Sequence, residues 1–159
     1  MINPSTIAPD VELRDKLLLE NIYVVTGPNT TAPVPVYGDW ERPTTETPRD
    51  FIVVMNNGDV GGFGNRISYA GGFLMLSLYC KLNDDGSVKK NRVAKILEQI
   101  DAIFTVPVTN DYKDLITDHY VYKFAPDRFI TPTTPNVTSG YSVTTLNLTW
   151  HTVNNFNKK

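Results

Sequence analysis

The most regular hydrophobic pattern in the chain runs from Phe73 to Leu82. Every even position in this segment is apolar, whereas the odd positions become more polar toward its end. Successive side chains of a β-strand point to opposite faces, so the pattern predicts a strand with one fully apolar face. That face consists of Leu74, Leu76, Leu78, Cys80 and Leu82.

A helical pattern follows after the polar turn Asn83–Ser87. Between Val93 and Phe104 apolar residues recur at spacings of three and four, with charged and polar residues between them. We therefore expect a helix over about Val88–Phe104 that packs its apolar side on the leucine face of the preceding strand. Asp85 or Ser87 is expected to accept hydrogen bonds from the free N–H groups of the first helical turn.

The remaining regular segments are a short helix and three strands. The helix is predicted to begin at Pro9, which suits the first helical position. Its apolar side consists of Val11, Leu17, Leu18 and Ile22. The predicted strands are 51–56, 118–124 and 141–151. In the last strand Leu146, Leu148 and Trp150 are expected to point inward, and the residues between them outward.

Two segments lack both periodicities and are predicted to be arms. Residues 27–49 contain five prolines among threonines, so we expect extended, irregular chain with at most a short edge strand near Val34–Tyr37. Residues 57–72 contain six glycines, but no Gly-Lys-Ser/Thr sequence opening a helix, so a phosphate-binding loop is not indicated. This second arm is expected to be a long hairpin loop between antiparallel strands.

These elements predict an α+β fold with four main strands in a mostly antiparallel sheet and helices packed mostly on one face. The 159 residues suffice for one domain with a sound core, and neither an internal repeat nor a second domain is indicated. The proline-rich arm 27–49 and the glycine-rich arm 57–72 belong to this single domain, 1–159.

Charge and cysteine content exclude several functional classes. A formal net charge of −2 argues against a protein that mainly neutralises nucleic-acid phosphates. The single cysteine, Cys80, has no partner for a disulfide within the chain, and its apolar face indicates a buried side chain. Because neither a membrane-spanning run nor a signal peptide is found, we expect assembly in a cytoplasm and no membrane contact.

Residues suited to catalysis or metal binding do not form a recognisable motif. His119 and His151 lie on predicted strands without Cys, Asp or Glu at ligand spacing, and the neighbouring Asp118 is expected to face away from His119. Known nucleophile and zinc-protease motifs are not found either. We therefore predict no catalytic, cofactor-binding or metal site, and favour a structural, assembly-forming protein over an enzyme.

Contact with another subunit or partner is predicted for three groups of residues. One group is the aromatic side chains of the proline-rich arm, because aromatic residues are enriched in interface cores. The others are residues of the glycine-rich arm and the outward, threonine-rich face of the last strand. The predicted contact residues are Tyr37, Trp40, Phe63, Arg66, Tyr69, Thr145, Asn147 and Thr149.

The order strand, glycine-rich loop, strand, helix and two strands resembles the tail terminator, or tail completion, family of tailed bacteriophages and related head-to-tail neck proteins. The resemblance covers about Phe51 to Thr152. It depends on this order of elements and on the pattern of apolar and polar residues in Phe73–Leu82 and Tyr141–His151. This chain differs from a compact terminator protein in its proline-rich segment, Pro28–Pro48.

The resemblance implies a virion protein that forms a homo-oligomeric ring of six or twelve subunits. Such a ring joins the portal or connector to the tail proteins around a channel. DNA would pass through this channel without sequence-specific binding.

Two other functions remain open from the sequence. A carbohydrate- or protein-binding module of a virion fibre or surface structure would use Tyr37, Trp40 and Tyr69 as contact or stacking platforms, and it predicts saturable ligand binding. A small hydrolase with carboxylates that are distant in sequence is the third alternative. It predicts an activity that is lost when one acidic residue is replaced.

Overall fold

The computed structural model describes residues 8–41, 50–60, 71–106, 109, 111–124, 134–136 and 139–152. Within these ranges there are two helices, α1 (Pro9–Leu19) and α2 (Lys90–Ile103). The strands in the same ranges are β1 (Tyr23–Gly27), β2 (Thr30–Pro33), β3 (Val36–Gly38), β4 (Asp50–Val60), β5 (Gly71–Lys81), β6 (Leu115–Ile116), β7 (Tyr120–Phe124), β8 (Thr134–Asn136) and β9 (Tyr141–Thr152).

Among the described residues, six strands form a continuous sheet in the order β3-β4-β5-β9-β7-β6, and β8 pairs with β9 at the end that β7 leaves free. All of these pairings are antiparallel except that of β3 with β4.

The predicted α+β class and mostly antiparallel sheet are therefore confirmed, and the predicted strands correspond to β4, β5, β7 and β9. The expected number of four main strands is wrong. The additional strands β3, β6 and β8 are only two or three residues long, too short to show a periodicity.

Strand β5 lies at the centre of the sheet and pairs with β9 along its whole length. The predicted apolar face of β5 is confirmed, because Leu74, Leu76 and Cys80 are fully buried. In β9 the inward positions Leu146, Leu148 and Trp150 continue this face.

Both helices bury their apolar sides in the same core as this sheet face. From α2 the buried residues are Val93, Ile96 and Ile100, as the sequence predicts. From α1 they include Leu13 and Leu17, whereas Leu18 is exposed, so the prediction for Leu18 is wrong. Leu13 and Leu17 lie one turn apart on the same side of the helix, and Leu18 is rotated away from them.

Residues 23–33 form a β-hairpin, so the first part of the proline-rich arm is regular and not irregular as predicted. Asn29 adopts the left-handed conformation (φ 60°) in the turn between β1 and β2, and Val24 packs into the core. The backbone N–H and C=O of Tyr23 pair with the side-chain amide of Gln99 on α2, at 3.0 and 2.8 Å. The free edge of β1 is thus covered by α2. The short edge strand predicted near Val34–Tyr37 is found as β3.

The start of α2 differs from the prediction. Lys89 occupies the N-cap position, and its side chain makes no capping hydrogen bond. Asp85 and Ser87, the predicted caps, instead close the preceding turn, in which the Ser87 backbone N–H donates to Asp85 Oδ1 at 2.9 Å. Competition between local turns and helix caps is common for these residue types, so the sequence alone does not decide between them.

The strands that flank the glycine-rich arm are longer than predicted. β4 and β5 pair up to Val60 and Gly71, so residues 57–60 and 71–72 belong to strands. Residues 61–70 lie outside the described ranges. Neither described helix has the length and apolar composition needed to cross a membrane.

Candidate functional site

The face of the sheet opposite the helices carries alternate residues of the long strands, and we call it the open face. Neither of the two described helices packs on it, and most of its side chains are half-buried. The open face consists of Tyr37, Phe51, Val53, Met55, Phe73, Met75, Ser77, Tyr79, Tyr141, Val143, Thr145, Asn147 and Thr149.

Side chains of the open face lie in rows across neighbouring strands. One row joins Met55, Met75 and Asn147, which are register partners on β4, β5 and β9. The next row contains Ser77 and Thr145, whose hydroxyl oxygens are 3.5 Å apart. Cross-strand neighbours of this kind define a continuous surface rather than isolated exposed residues. The described side chains of this surface are uncharged except at its ends, where Lys81 follows Tyr79 on β5 and Lys123 of β7 lies beside Thr149.

Aromatic rings cluster at one end of the open face. Phe51 and Tyr79 are stacked, with ring centroids 4.8 Å apart and an interplanar angle of 5°. Tyr37 and Tyr141 approach Phe51 edge-on at 6.0 and 5.4 Å. Burial, and then the charge of Asp50, raise the pKa of Tyr141, so its hydroxyl stays neutral and able to donate a hydrogen bond. We call Tyr37, Phe51, Tyr79 and Tyr141 the aromatic cluster.

The other end of the open face is bordered by basic side chains. His151 of β9 pairs in register with Val121 of β7, and Lys123 pairs with Thr149. Burial, and then the positive charge of Lys123, lower the pKa of His151. At neutral pH the imidazole is therefore held in its neutral form, and Lys123 supplies the positive charge at this border.

The composition of the open face is that of an interface core. Aromatic residues and Met are enriched in such cores and charged residues are depleted. Phe73, the register partner of Thr149 near the basic end of the open face, is 46% exposed. Contiguous half-exposed apolar surface on a sheet indicates an interaction site, and the Thr, Ser and Asn side chains add neutral hydrogen-bonding groups.

Five of the predicted contact residues lie within the described ranges, and four of them share this surface. Tyr37, Thr145, Asn147 and Thr149 are on the open face. Trp40 is not, because its ring packs on Gly38 and lies under the Arg14 guanidinium, 5.6 Å from the ring centroid. The Trp40 side chain nevertheless stays 46% exposed, so these contacts position the ring without covering it. Phe63, Arg66 and Tyr69 lie outside the described residues.

Sequence reasoning did not select the central residues of the open face. Met75 and Tyr79 alternate with the buried residues of β5, and Phe51 and Met55 do the same on β4. In Phe73–Leu82 the apolar residues at odd positions point away from the core. They are the sequence signal for a second apolar surface.

A second arrangement missed in the sequence joins Glu12 of α1 to His119. Glu12 Oε2 lies 2.7 Å from His119 Nδ1, and Glu12 Oε1 accepts the His119 backbone N–H at 3.2 Å. Such a carboxylate fixes the orientation of an imidazole. The neighbouring Thr117 hydroxyl is engaged in its own turn, where it accepts the Tyr120 N–H. The contact therefore fastens α1 to the β6–β7 turn.

The thiol of Cys80 is buried and faces a buried carboxylate. Burial, and then the negative charge of Asp50, raise the pKa of Cys80 far above its usual value. The thiolate that nucleophilic chemistry requires is therefore not formed. Among the described residues, no three His, Cys, Asp or Glu side chains are grouped so that they could hold a metal ion.

Comparisons with known proteins add little to this geometry. No protein-family model matches the chain, and a search of curated proteins gives no match. One solved structure aligns over 76% of this chain and 80% of its own, with a TM-score of 0.47 and 12% sequence identity. That structure carries no descriptive name, and a likeness of this extent says nothing about function.

Proposed function

We propose that this chain is a structural subunit of a homo-oligomeric ring, of six or twelve copies, at the head-to-tail neck or tail end of a tailed bacteriophage. The ring joins the portal or connector to the tail proteins and surrounds the channel through which DNA passes. Each subunit contributes surface and shape rather than chemistry.

The observation that carries the proposal is the open face. A chain whose main sheet has one helix-covered face, and a second face that is half-exposed and charged only at its ends, gains stability when the second face is covered by protein. The aromatic cluster supplies rigid side chains of large area, which are the residue types that contribute most to binding energy. The proposed location of the subunit in a phage neck or tail depends on the resemblance in element order. The elements that carry this order are β4, β5, α2, β7 and β9.

A closed ring needs two different complementary surfaces on each subunit. The β1–β2 hairpin provides the second surface in this proposal. It lies on the helix side of the sheet, away from the open face, and projects the exposed side chains of Tyr23 and Val25. Head-to-tail packing of the hairpin of one subunit on the open face of the next would cover both surfaces.

The mass of the native protein across a range of concentrations tests this function. We expect a discrete species of six or twelve subunits by native mass spectrometry, alone or after addition of a portal or tail ring. Met75→Lys places a charge at the centre of the open face, where the half-exposed position tolerates lysine in the monomer. It should shift the midpoint of assembly to at least about tenfold higher concentration.

Ala94→Lys is the matched control, because Ala94 is exposed on α2 and faces away from the open face. It introduces the same charge and should leave assembly unchanged. A chain that stays monomeric, joins no portal or tail ring and binds a glycan saturably would overturn the ring in favour of a binding module. Equal effects of the two lysine variants would show that the open face is not the contact surface.

A further inference from the structure

A histidine lies at the basic end of the open face. His151 of β9 forms one row across the sheet with Gly71 of β5, Val121 of β7 and Ile116 of β6. It belongs to the open face because the odd positions of β9 are half-buried, whereas the even positions are buried. Imidazole is the side chain whose ordinary pKa lies near neutral pH. The open face therefore contains a group whose charge depends on pH.

The charged groups around His151 come from β7 and from the segment before β6. Lys123 of β7 pairs with Thr149 and is thus a diagonal neighbour of His151, at a spacing of about 7–8 Å. Residues 71–73 of β5 have no charged side chain. Burial, and then Lys123, lower the pKa of His151, although the negative charge of Asp114 acts in the opposite direction. A second positive charge at this end is therefore unfavourable already in the single subunit.

The surface that covers the open face in the proposed ring offers little negative charge to compensate a protonated histidine. The β1–β2 hairpin, residues 23–33, contains no Asp, Glu, Lys, Arg or His. The groove between β1 and α2 is lined by Arg92, Lys95 and Glu98, which is two positive charges against one negative charge. A charged imidazole would therefore lose its hydration on assembly without gaining a matching carboxylate.

We propose that His151 makes the contact between subunits sensitive to pH, so that the contact forms with a neutral imidazole and weakens when the imidazole takes up a proton. The inference rests on the proposed function, because it requires the open face to be covered by a second copy of the chain. It adds a regulation of that contact. Mild acid holds the subunits apart, and neutral pH permits them to assemble.

The direction of this effect follows from linkage between proton binding and assembly. Covering the open face increases the burial of His151, so the assembled state binds the proton less readily than the free subunit. The contact therefore has its full strength above the pKa of His151 in the free subunit and weakens as the pH falls through that value. Because each contact takes up one proton when it opens, its association constant falls by at most about tenfold per pH unit.

The midpoint concentration of assembly, measured by light scattering at about pH 8 and about pH 5.5, tests the inference. A portal or tail ring is added where assembly needs it. The wild-type midpoint should be at least about threefold higher at the lower pH. His151→Gln keeps a neutral polar side chain of similar size and should have the same midpoint at both pH values. His119→Gln is the matched control, because His119 is the other histidine of the chain and contacts Glu12 of α1; it should keep the wild-type dependence.

A second variant tests the neighbouring charge. Lys123→Gln should keep the pH dependence and move it to higher pH, because the imidazole takes up its proton more readily without the lysine. A wild-type midpoint that is the same at both pH values would overturn the inference and leave the ring itself intact, as would a pH dependence that persists in His151→Gln. A chain that assembles at neither pH, with or without a portal or tail ring, would overturn the proposed function and this inference with it.

Discussion

At the scale of single residues, the buried pair of Asp50 and Arg92 connects β4 to α2. The Asp50 side chain is almost fully buried, and Arg92 Nη1 lies 3.4 Å from its Oδ2 atom. Within the described part of the chain neither carboxylate oxygen of Asp50 accepts a hydrogen bond from an N–H or O–H group, and the neighbouring Cys80 thiol is only a weak donor. The charge of Arg92 is therefore the main compensation for burying this carboxylate.

Removing that compensation should destabilise the fold. Arg92→Met leaves the Asp50 charge buried and unpaired, and we expect unfolding free energy to fall by about 3 kcal/mol. Chemical denaturation followed by circular dichroism measures the change. Lys95→Met, which removes an exposed lysine from the same helix, should change stability by less than about 0.5 kcal/mol. Similar losses in the two variants would contradict the assigned role of Arg92.

The buried thiol of Cys80 gives a second prediction at this scale. Because its side chain is inaccessible and its pKa is raised, the thiol should react only when the molecule unfolds. Reaction with a disulfide reagent should be slower than in the denatured chain by a factor of about a thousand or more. Rapid labelling of the native protein would show that β5 is not the centre of the core.

The pKa of His151 predicts a pH dependence. In the folded state it is lowered, so the unfolded chain binds this proton more readily. The resulting stability is complete above the usual value of 6.5 and is lost as the pH falls through the lower, folded-state pKa. Lys123→Gln removes one cause and should raise the pKa of His151, which an NMR titration of the imidazole measures. An unchanged or lower pKa would contradict the contribution of Lys123.

At the scale of elements, long segments with a clear period were predictable and short ones were not. The alternation in Phe73–Leu82 and the helical spacing after Val93 have enough repeats to define β5 and α2. Strands of two or three residues have no measurable period, and their pairing is decided by the strands beside them. The β1–β2 hairpin is not indicated because β2 has only four residues, and prolines at positions 28 and 33 disfavour regular structure in the sequence around it.

Two side chains of α2 bond the hairpin backbone, Arg92 at the carbonyl of Val25 and Gln99 at Tyr23, and the second gives a prediction for the element. Gln99→Met removes both hydrogen bonds to the backbone of Tyr23 while keeping the length of the side chain. We expect the Tyr23 amide to exchange with deuterium roughly fivefold faster, as for a loss of about 1 kcal/mol. The neighbouring exposed variant Glu98→Met should leave this exchange rate unchanged. Equal rates in all three proteins would show that Gln99 does not protect the edge of β1.

At the scale of the whole molecule, the open face could be predicted only in part. Thr145, Asn147 and Thr149 were found because they alternate with inward residues on one strand. That Tyr37, Met75 and these residues share one surface depends on the strand order, which pairs segments more than sixty residues apart. The contact of Glu12 with His119 spans 107 residues, so local spacing could not indicate it.

Protection of the open face on assembly is the most direct test of the proposed subunit contact. Since Cys80 is buried, Thr145→Cys gives the protein a single reactive thiol on the open face, and Ala94→Cys gives one on the exposed side of α2. Thiol labelling rates would be measured below and above the concentration of assembly, with a portal or tail ring added where needed. The account predicts that assembly slows labelling at position 145 at least about tenfold and leaves position 94 unchanged. Labelling at position 145 that is equally fast in the monomer and in the assembled particle would contradict it.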